Sequence, residues 1–197
     1  NSPRKTQRII RDATVPRMIL KDFVETLKAM DEKGFLLGSL SEVSLRAKGG
    51  KLVITPENLP IHLMTEEALQ TAAIHPDIVN QQINFPRHIE WHRLIYLKSE
   101  ANAVVLCQPV FACLLAQKGQ VPSTKILVGA AEVINSIQCV KNTDIPLEKK
   151  AKLGDEGILL IQSIGVLAWG KNLSDVYSWI DLVERICEIQ IKSEKYA

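Results

Sequence analysis

His88 and His92 are the first residues of the sequence whose types and spacing suggest chemistry. They lie four positions apart, so on the helix predicted for residues 86–99 both side chains project from one face. Glu90 lies between them and points elsewhere by roughly half a turn. Two imidazoles on one face suit a divalent metal, and a carboxylate near imidazoles suits proton transfer. The alternative is a pair of histidines that lie at the surface or have hydrogen-bond partners in the core.

A metal on this helix would need a third ligand, and the sequence offers no evident one. The remaining histidines, His62 and His75, lie in a segment whose place in the fold the sequence does not indicate. Arg87, His88 and Arg93 form a different kind of candidate, an anion site, because three basic groups lie near a helix start. A solvated helix start explains the same residues equally well, so both interpretations stay open.

A second candidate lies at the end of a predicted strand, in the stretch VVLCQPVFACLLA at residues 104–116. The buried strand covers 103–107, a proline turn follows, and a helix is predicted for 110–117. Functional residues often lie just beyond such a strand, and here Cys107 and Gln108 occupy the place. A nucleophilic thiol needs a neighbouring base or positive field. No His or Lys lies immediately beside Cys107, so a packed thiol is the favoured interpretation.

The composition is that of an ordinary soluble domain. Of the 197 residues, 46% are hydrophobic and 23% are charged, and the net charge of +2 provides no strong attraction to nucleic acid or to a membrane surface. No apolar run approaches the roughly 20 residues that span a bilayer. The four cysteines form no C-x-x-C pair, which favours free, buried thiols in a reducing cytoplasm: Cys107, Cys113, Cys139 and Cys187.

The predicted organisation is a basic N-terminal tail at residues 1–15 followed by a single domain at residues 16–197. The first half of the domain is predicted to contain a helix at 16–33 ended by Gly34, two strands joined by the turn Lys48-Gly49-Gly50-Lys51, a helix at 65–73 capped by Thr65, and the helix at 86–99. The strand at 103–107 and the helix at 110–117 follow, then short strands within 124–131 and 136–140 and two strands within 157–171 that are interrupted near Gln162 to Gly165. A long C-terminal helix ends the domain; it is capped by Asn172 or Ser174, and its apolar stripe is Val176, Ile180, Val183 and Cys187. Mixed strand connections of this kind predict an α/β/α three-layer sandwich around a mixed, mainly antiparallel sheet.

Three stretches of the domain together carry a resemblance to a known family. GFLLGSLSEVSLRAKGGKLVITP (34–56) is similar to a strand motif G-N-x-S-x-R followed by an I-T-P turn, and ANAVVLCQP (101–109) is similar to a strand ending in H-x-H-P. ILLIQSIGVLAWGKNLSDVYSWIDLVERICEIQ (158–190) is similar to L-L-x-N-H-G-V-x-x-x-G-x-x-L followed by a long helix. In order and spacing the chain resembles the class II aldolase/adducin superfamily over roughly residues 16–191, and the resemblance implies that family's α/β/α fold.

The resemblance also implies a metal site, and this chain does not complete it. The family's enzymes hold a divalent metal, usually zinc, with two histidines of H-x-H and one of N-H-G, and the metal polarises the oxygens of a sugar-phosphate ketose. The matching positions here are Leu106, Gln108 and Ile164. Leucine and isoleucine offer no lone pair, and glutamine is a poor, neutral ligand for zinc. We therefore predict a degenerate member without a metal or other cofactor.

The family's acid–base segment, which is similar to P-S-S-E, matches this chain in two ways. Without a gap, its glutamate falls on His88, and its two phosphate-binding serines fall on Pro86 and Arg87. With a deletion of about one helical turn, Glu90-Trp91 matches the E-W of sugar-phosphate aldolases, and a helix keeps its facing after such a loss. The resemblance thus leaves either His88 or Glu90 at the ancestral acid–base position.

The resemblance implies a weakened phosphate site. The family's phosphate-binding asparagine, in G-N-x-S, falls on Ser39, and the serine of the same motif is retained as Ser41. Together with Arg87, these serines are the predicted binding residues for a small anionic ligand.

Two functions follow from this pattern. The first is a pseudoenzyme that keeps the fold and has a binding or structural role, with a partner protein or a small anionic ligand, or as a scaffold in the manner of adducin. The alternative is a lyase or isomerase for a small sugar, sugar phosphate or hydroxy acid, which would act through Glu90 with His88 or His92 by a metal-free or relocated-metal mechanism. Because family members commonly form homotetramers, the resemblance implies a homo-oligomer. A cytoplasmic protein with no nucleic-acid partner and no membrane span is expected.

Overall fold

The central strand of the protein is Ala103–Cys107 (β4), whose five residues are all buried. A strand buried on both faces needs cover on both sides, and helices supply it here. The computed structural model describes residues 15–75, 85–134, 137–141 and 153–196.

Six further strands and five helices accompany β4 in the described residues. The strands are β1 (Glu42–Ala47), β2 (Lys51–Ile54), β3 (Gln70–Ala73), β5 (Ile137–Val140), β6 (Gly157–Ile161) and β7 (Gly165–Gly170). The helices are α1 (Arg17–Glu32), α2 (Ile89–Lys98), α3 (Val110–Lys118), α4 (Ala130–Val133) and α5 (Leu173–Tyr196).

The seven strands form one sheet with the order β3-β2-β1-β4-β7-β6-β5. Neighbouring strands are antiparallel, except that β5 and β6 are parallel. α1, α3 and α5 pack on one face and α2 packs on the other, because successive residues of each strand project to opposite faces and build two separate hydrophobic cores. The predicted three-layer sandwich with a mixed, mainly antiparallel sheet is confirmed.

The first helix ends where its sequence predicts. Phe23, Leu27 and Met30 recur at helical spacing and are buried against the sheet. Gly34 has a φ of +74°, and the N–H of Phe35 donates to the Met30 carbonyl at 3.0 Å. A glycine in the left-handed region therefore closes the helix and turns the chain toward β1.

The long C-terminal helix is also confirmed. The Asn172 side-chain oxygen accepts a hydrogen bond from the Asp175 N–H at 2.8 Å and caps the helix. The predicted apolar stripe is buried on the sheet: Val176, Ile180, Val183 and Cys187.

The predicted hairpin between the first two strands is present. Ala47 is the register partner of Lys51, and Gly49 and Gly50 between them have φ values of +71° and +67°. Two consecutive left-handed residues make a tight turn that side chains would strain. The predicted strands within 136–140 and 157–171 are confirmed as β5, β6 and β7.

The helix predicted at 65–73 is wrong. Glu66–Ala68 forms a single 3-10 turn without a side-chain cap from Thr65, and β3 follows it directly. β3 pairs with β2 at the edge of the sheet. The open edge of β2 offers the segment a row of backbone hydrogen bonds, and this pairing overrides the local helical preference.

The strand predicted within 124–131 is wrong as well. Thr124–Ile126 is a 3-10 turn, and Gly129, with a φ of +85°, leads into the short helix α4. Val128 is fully exposed, so the apolar run has no buried side.

Residues 1–14 of the predicted tail lie outside the described residues. Along the part of the chain that is described, no helix combines the length and apolarity that crossing a membrane requires. All four cysteines are free.

β6 and β7 meet at a close contact between Gly157 and Trp169, which are register partners. Trp169 is fully buried, and its indole N–H donates to the Gly154 carbonyl at 2.9 Å. A Cβ atom at Gly157 would lie 2.3 Å from the indole ring. The ring therefore packs directly on the glycine backbone.

Gly157→Ala is expected to lower the free energy of unfolding by about 1–3 kcal/mol, because the methyl group cannot fit without displacing the indole. Gly154→Ala is the matched control, since the nearest atom to a Cβ there is 3.6 Å away. Urea denaturation of both variants and the wild type measures the difference. Equal stability of the two variants would contradict the packing described.

Candidate functional site

One end of the sheet collects the three positions at which the resemblance implies metal ligands. Leu106 is fully buried in β4, between its register partners Glu42 of β1 and Leu167 of β7. Gln108 follows β4 directly, and Ile164 lies in the turn between β6 and β7. The Gln108 amide nitrogen is 3.4 Å from the Ile164 carbonyl oxygen. The structure therefore brings these positions together at the carboxyl end of β4.

Gln108 forms hydrogen bonds through its side-chain oxygen, its side-chain nitrogen and its backbone N–H. Its side-chain oxygen accepts from the Ser41 hydroxyl at 2.6 Å. Its side-chain nitrogen donates to the carbonyl oxygens of Leu40 at 3.0 Å and of Ile164. Its backbone N–H donates to the Phe35 carbonyl at 2.8 Å. The glutamine thus joins the segment before β1 to the turn between β6 and β7.

These residues do not fit the zinc ion that the resemblance implies. The side chains of Leu106 and Ile164 carry no lone pair, and the Gln108 amide oxygen already accepts a short hydrogen bond. Within the described ranges, no group of three or more His, Cys, Asp or Glu side chains is placed to share a metal ion.

A cavity of about 400 Å³ opens beside Gln108 and the β6–β7 turn. None of its lining residues is acidic or basic. Most of its wall is aliphatic, from the segment before β1, the first turns of α3 and the β6–β7 turn: Leu37, Leu40, Val110, Leu114, Ile161 and Ile164. The strand end is therefore an apolar concave surface.

A buried carboxylate lies on the strand next to Leu106. Glu42 is only 2% exposed. Its two oxygens accept the His88 backbone N–H at 3.0 and 3.2 Å, and one of them accepts the His88 Nδ1–H at 2.8 Å. His92 Nε2 is 3.6 Å from the other oxygen, beyond hydrogen-bond distance. A buried charge needs such donors, so Glu42 holds the start of α2 on the sheet.

The polar residues continue along the same face of β1. Ser44 Oγ lies 2.7 Å from His92 Nδ1 and 2.8 Å from the Tyr96 hydroxyl. The Arg46 guanidinium donates to backbone carbonyls at the end of α2, including that of Tyr96 at 2.9 Å. Every second side chain of β1, from Glu42 to Arg46, therefore contacts α2 or the residues just after it.

Burial determines the protonation states inside this network. It lowers the pKa of His92 to about 4, against a smaller opposing effect of Glu42. Burial also raises the pKa of the Tyr96 phenol. At neutral pH the phenol is therefore protonated and can donate to Ser44, whose hydroxyl in turn donates to the neutral imidazole of His92.

The helix predicted at 86–99 is α2 and begins only at Ile89, so His88 precedes it and only His92 lies on the helix. Both histidines nevertheless lie near Glu42, whereas Glu90 does not take part. Glu90 is exposed and pairs with Arg93 on the same helix. The His88 ring lies against Trp91, with ring centres 4.5 Å apart. The carboxylate beside both imidazoles is therefore Glu42, which the sequence interpretation did not single out.

The candidate anion-binding residues have separate surroundings. Ser39 is exposed in a 3-10 turn, and Arg87 is exposed just before α2. Ser41 is buried; its oxygen accepts the Leu37 N–H at 2.7 Å while its hydroxyl donates to Gln108. The hydroxyl of Ser41 is therefore used within the fold.

Cys107 is a packed thiol. It is fully buried, and burial raises its pKa well above the usual value, so it carries no thiolate at neutral pH.

One pattern in the sequence points to the polar network. Glu42, Ser44 and Arg46 alternate with Val43 and Leu45, and polar residues at every second position of a buried strand indicate partners on that face. Ser44 and Arg46 also offer a second register for the S-x-R part of the strand motif, three residues after the register that places its serine at Ser41.

The comparisons with known proteins agree with this architecture. Residues 21–191 match the family described as Class II Aldolase and Adducin N-terminal domain. An L-fuculose phosphate aldolase of Methanocaldococcus jannaschii is 19% identical over 177 residues, which cover 87% of this chain and 94% of that protein.

Two solved structures show the fold. L-fuculose-1-phosphate aldolase from Thermus thermophilus has a TM-score of 0.73 at 17% identity, covering 91% of this chain and 97% of its own. An aldolase II superfamily protein from Pseudomonas syringae has a TM-score of 0.76 at 17% identity, covering 95% of this chain and 80% of its own.

The buried imidazole of His92 makes the stability depend on pH. Between its ordinary pKa of 6.5 and the folded value of about 4, the unfolded chain binds a proton at His92 that the folded chain does not bind. The contribution is complete above pH 6.5, and up to about 3 kcal/mol is lost as the pH falls toward 4. Urea denaturation across this range measures it. His92→Gln should lose less stability over the same interval, and an unchanged loss would exclude His92 as the responsible group.

Proposed function

The chain belongs to the class II aldolase and adducin N-terminal domain family, and we propose that it is a member that binds a ligand without metal-dependent aldolase chemistry. The observation that carries this proposal is the identity of the residues at Leu106, Gln108 and Ile164. Two of these side chains cannot donate an electron pair, and the third is engaged with Ser41.

The packing around these residues supports the proposal. Leu106 is part of the hydrophobic core on the α2 face, and Ile164 packs against the same core. An imidazole in place of Leu106 would be a buried polar group that needs a partner such as a metal ion. Aliphatic side chains remove that cost, so the strand end is stable without a metal.

The names of the matched relatives do not decide the activity of this chain. The two proteins named L-fuculose phosphate aldolases are 19% and 17% identical to it, and similarity at that level supports a shared fold but not a shared activity.

We extend the proposal to a cytoplasmic homo-oligomer. The resemblance to tetrameric family members supports the oligomer, and the four free cysteines support the cytoplasm.

A second candidate function is metal-free acid–base catalysis as a lyase or isomerase on a small sugar phosphate or hydroxy acid. The observation that favours it is the hydrogen bond of 2.8 Å between His88 and Glu42. The His88 side chain is 20% exposed, so solvent reaches an imidazole that a buried carboxylate orients. Glu42, rather than Glu90, would then support the base.

Protein purified in zinc-containing buffer is expected to carry far less than stoichiometric zinc, because the ligand set is lost, and to leave L-fuculose 1-phosphate uncleaved. Metal analysis by mass spectrometry and a retro-aldol assay measure the two properties. A variant carrying Leu106→His, Gln108→His and Ile164→His serves as the comparison and should gain zinc if it folds. Tight stoichiometric zinc together with cleavage by the wild type would overturn the proposal, whatever the variant does.

The second candidate predicts turnover that depends on the His88–Glu42 pair. If the wild type converts any member of a panel of sugar phosphates and hydroxy acids, His88→Gln and Glu42→Gln should each lower kcat by about 100-fold or more, since general acid–base groups contribute that much. His62→Gln, a change at an exposed histidine, is the control. Absence of turnover across the panel, or turnover insensitive to both changes, would reject this candidate.

A further inference from the structure

The aliphatic cavity beside Gln108 has a partly exposed apolar wall, which the absence of the family's metal-ligating histidines does not explain. Four of its large apolar side chains are about half exposed: Leu37 58%, Leu40 50%, Val110 61% and Leu114 46%. Single exposed leucines are ordinary, but four around one concave surface form a patch of the kind that marks a binding site.

The lining argues against a charged ligand. Among the described residues no acidic or basic side chain lines the cavity, and burial raises the pKa of the Cys113 thiol to about 11, so this group is neutral as well. An anion that entered would lose its hydration without gaining a counter-charge. A sugar phosphate therefore does not suit this cavity.

The cavity has polar groups on one side. Gln108 lines it, but its amide is held by Ser41 and Leu40. Gln117 and Ser163 also line it and are joined by a long hydrogen bond of 3.3 Å, from the amide nitrogen to the hydroxyl oxygen. A ligand group could replace this weak, exposed bond at little cost.

We propose that this cavity binds an uncharged small molecule with an apolar body and one hydrogen-bonding group that meets Gln117 and Ser163. The inference rests on the proposed function, because it names the ligand class for the binding role. The volume of about 400 Å³ lies in the range of small-molecule sites, which are mostly apolar with a few polar groups.

The test uses N-phenyl-1-naphthylamine, a neutral apolar fluorophore, titrated into the full chain. We expect saturable fluorescence enhancement in the wild type that millimolar inorganic phosphate does not reduce. Leu114→Glu places a carboxylate in the cavity wall and should weaken binding about tenfold or more. Leu97→Glu is the matched control, since Leu97 is a helical leucine that is 42% exposed and lies outside the cavity lining. It should bind as the wild type does.

Val110→Glu provides a second variant in case Leu114→Glu does not fold, with circular dichroism as the check on folding. Absence of saturable binding to the wild type, or equal binding by the cavity and control variants, overturns the proposal. Light scattering identifies a further contrary outcome: if the wild type binds no probe and Leu114→Glu dissociates an oligomer, a second copy of the chain covers this face. Zinc content and aldolase activity of the same preparation report separately on the proposed function, so the two failures are distinguishable.

Discussion

The hydrogen bonds of the Gln108 side chain hold together the strand end on which the site depends. In the family that the chain resembles, a metal would join the residues at positions 108 and 164. Here a neutral amide makes the connection, through the Ile164 carbonyl on one side and Ser41 and Leu40 on the other. Because an amide needs no counter-charge, its surroundings can be aliphatic. The apolar cavity beside it therefore leaves no charge of Gln108 unbalanced.

The buried charge at this end of the sheet lies on a different strand from the one that Gln108 follows. Glu42 is the one buried carboxylate in the described residues, and α2 supplies its donors, through His88. The cavity and this network share no lining residue. The hydrogen bonds of this network hold α2 on the sheet, although His92 Nε2 has no hydrogen-bond partner among the described residues. The concave apolar surface lies apart from it. The proposed binding role and the second, acid–base candidate therefore concern separate groups of residues.

Much of the fold could be predicted from local patterns. The burial of α1, β4 and α5 follows from apolar residues at helical or strand spacing, and Gly34 and Asn172 end or begin helices by local backbone chemistry. The two errors, at 65–73 and 124–131, have one cause. Over so few residues the local preference for helix or strand is weak, so tertiary packing decides the structure. Residues 70–73 pair with β2 as β3, whereas Thr124–Ile126 and Ala130–Val133 form helical turns.

The sequence by itself determined that no imidazole stands at the three positions that match the family's metal-ligating histidines, because these residues are Leu106, Gln108 and Ile164. It also indicated that His88 and His92 project to the same side, although His88 precedes the first residue of α2 and is not part of the helix. Only the tertiary structure decided which acid they meet. Glu42 and His88 are 46 positions apart, and β1 lies beside β4 while α2 crosses the same face. Strand pairing and helix packing bring Glu42 and His88 together, and both depend on contacts between distant segments that a local sequence pattern does not contain.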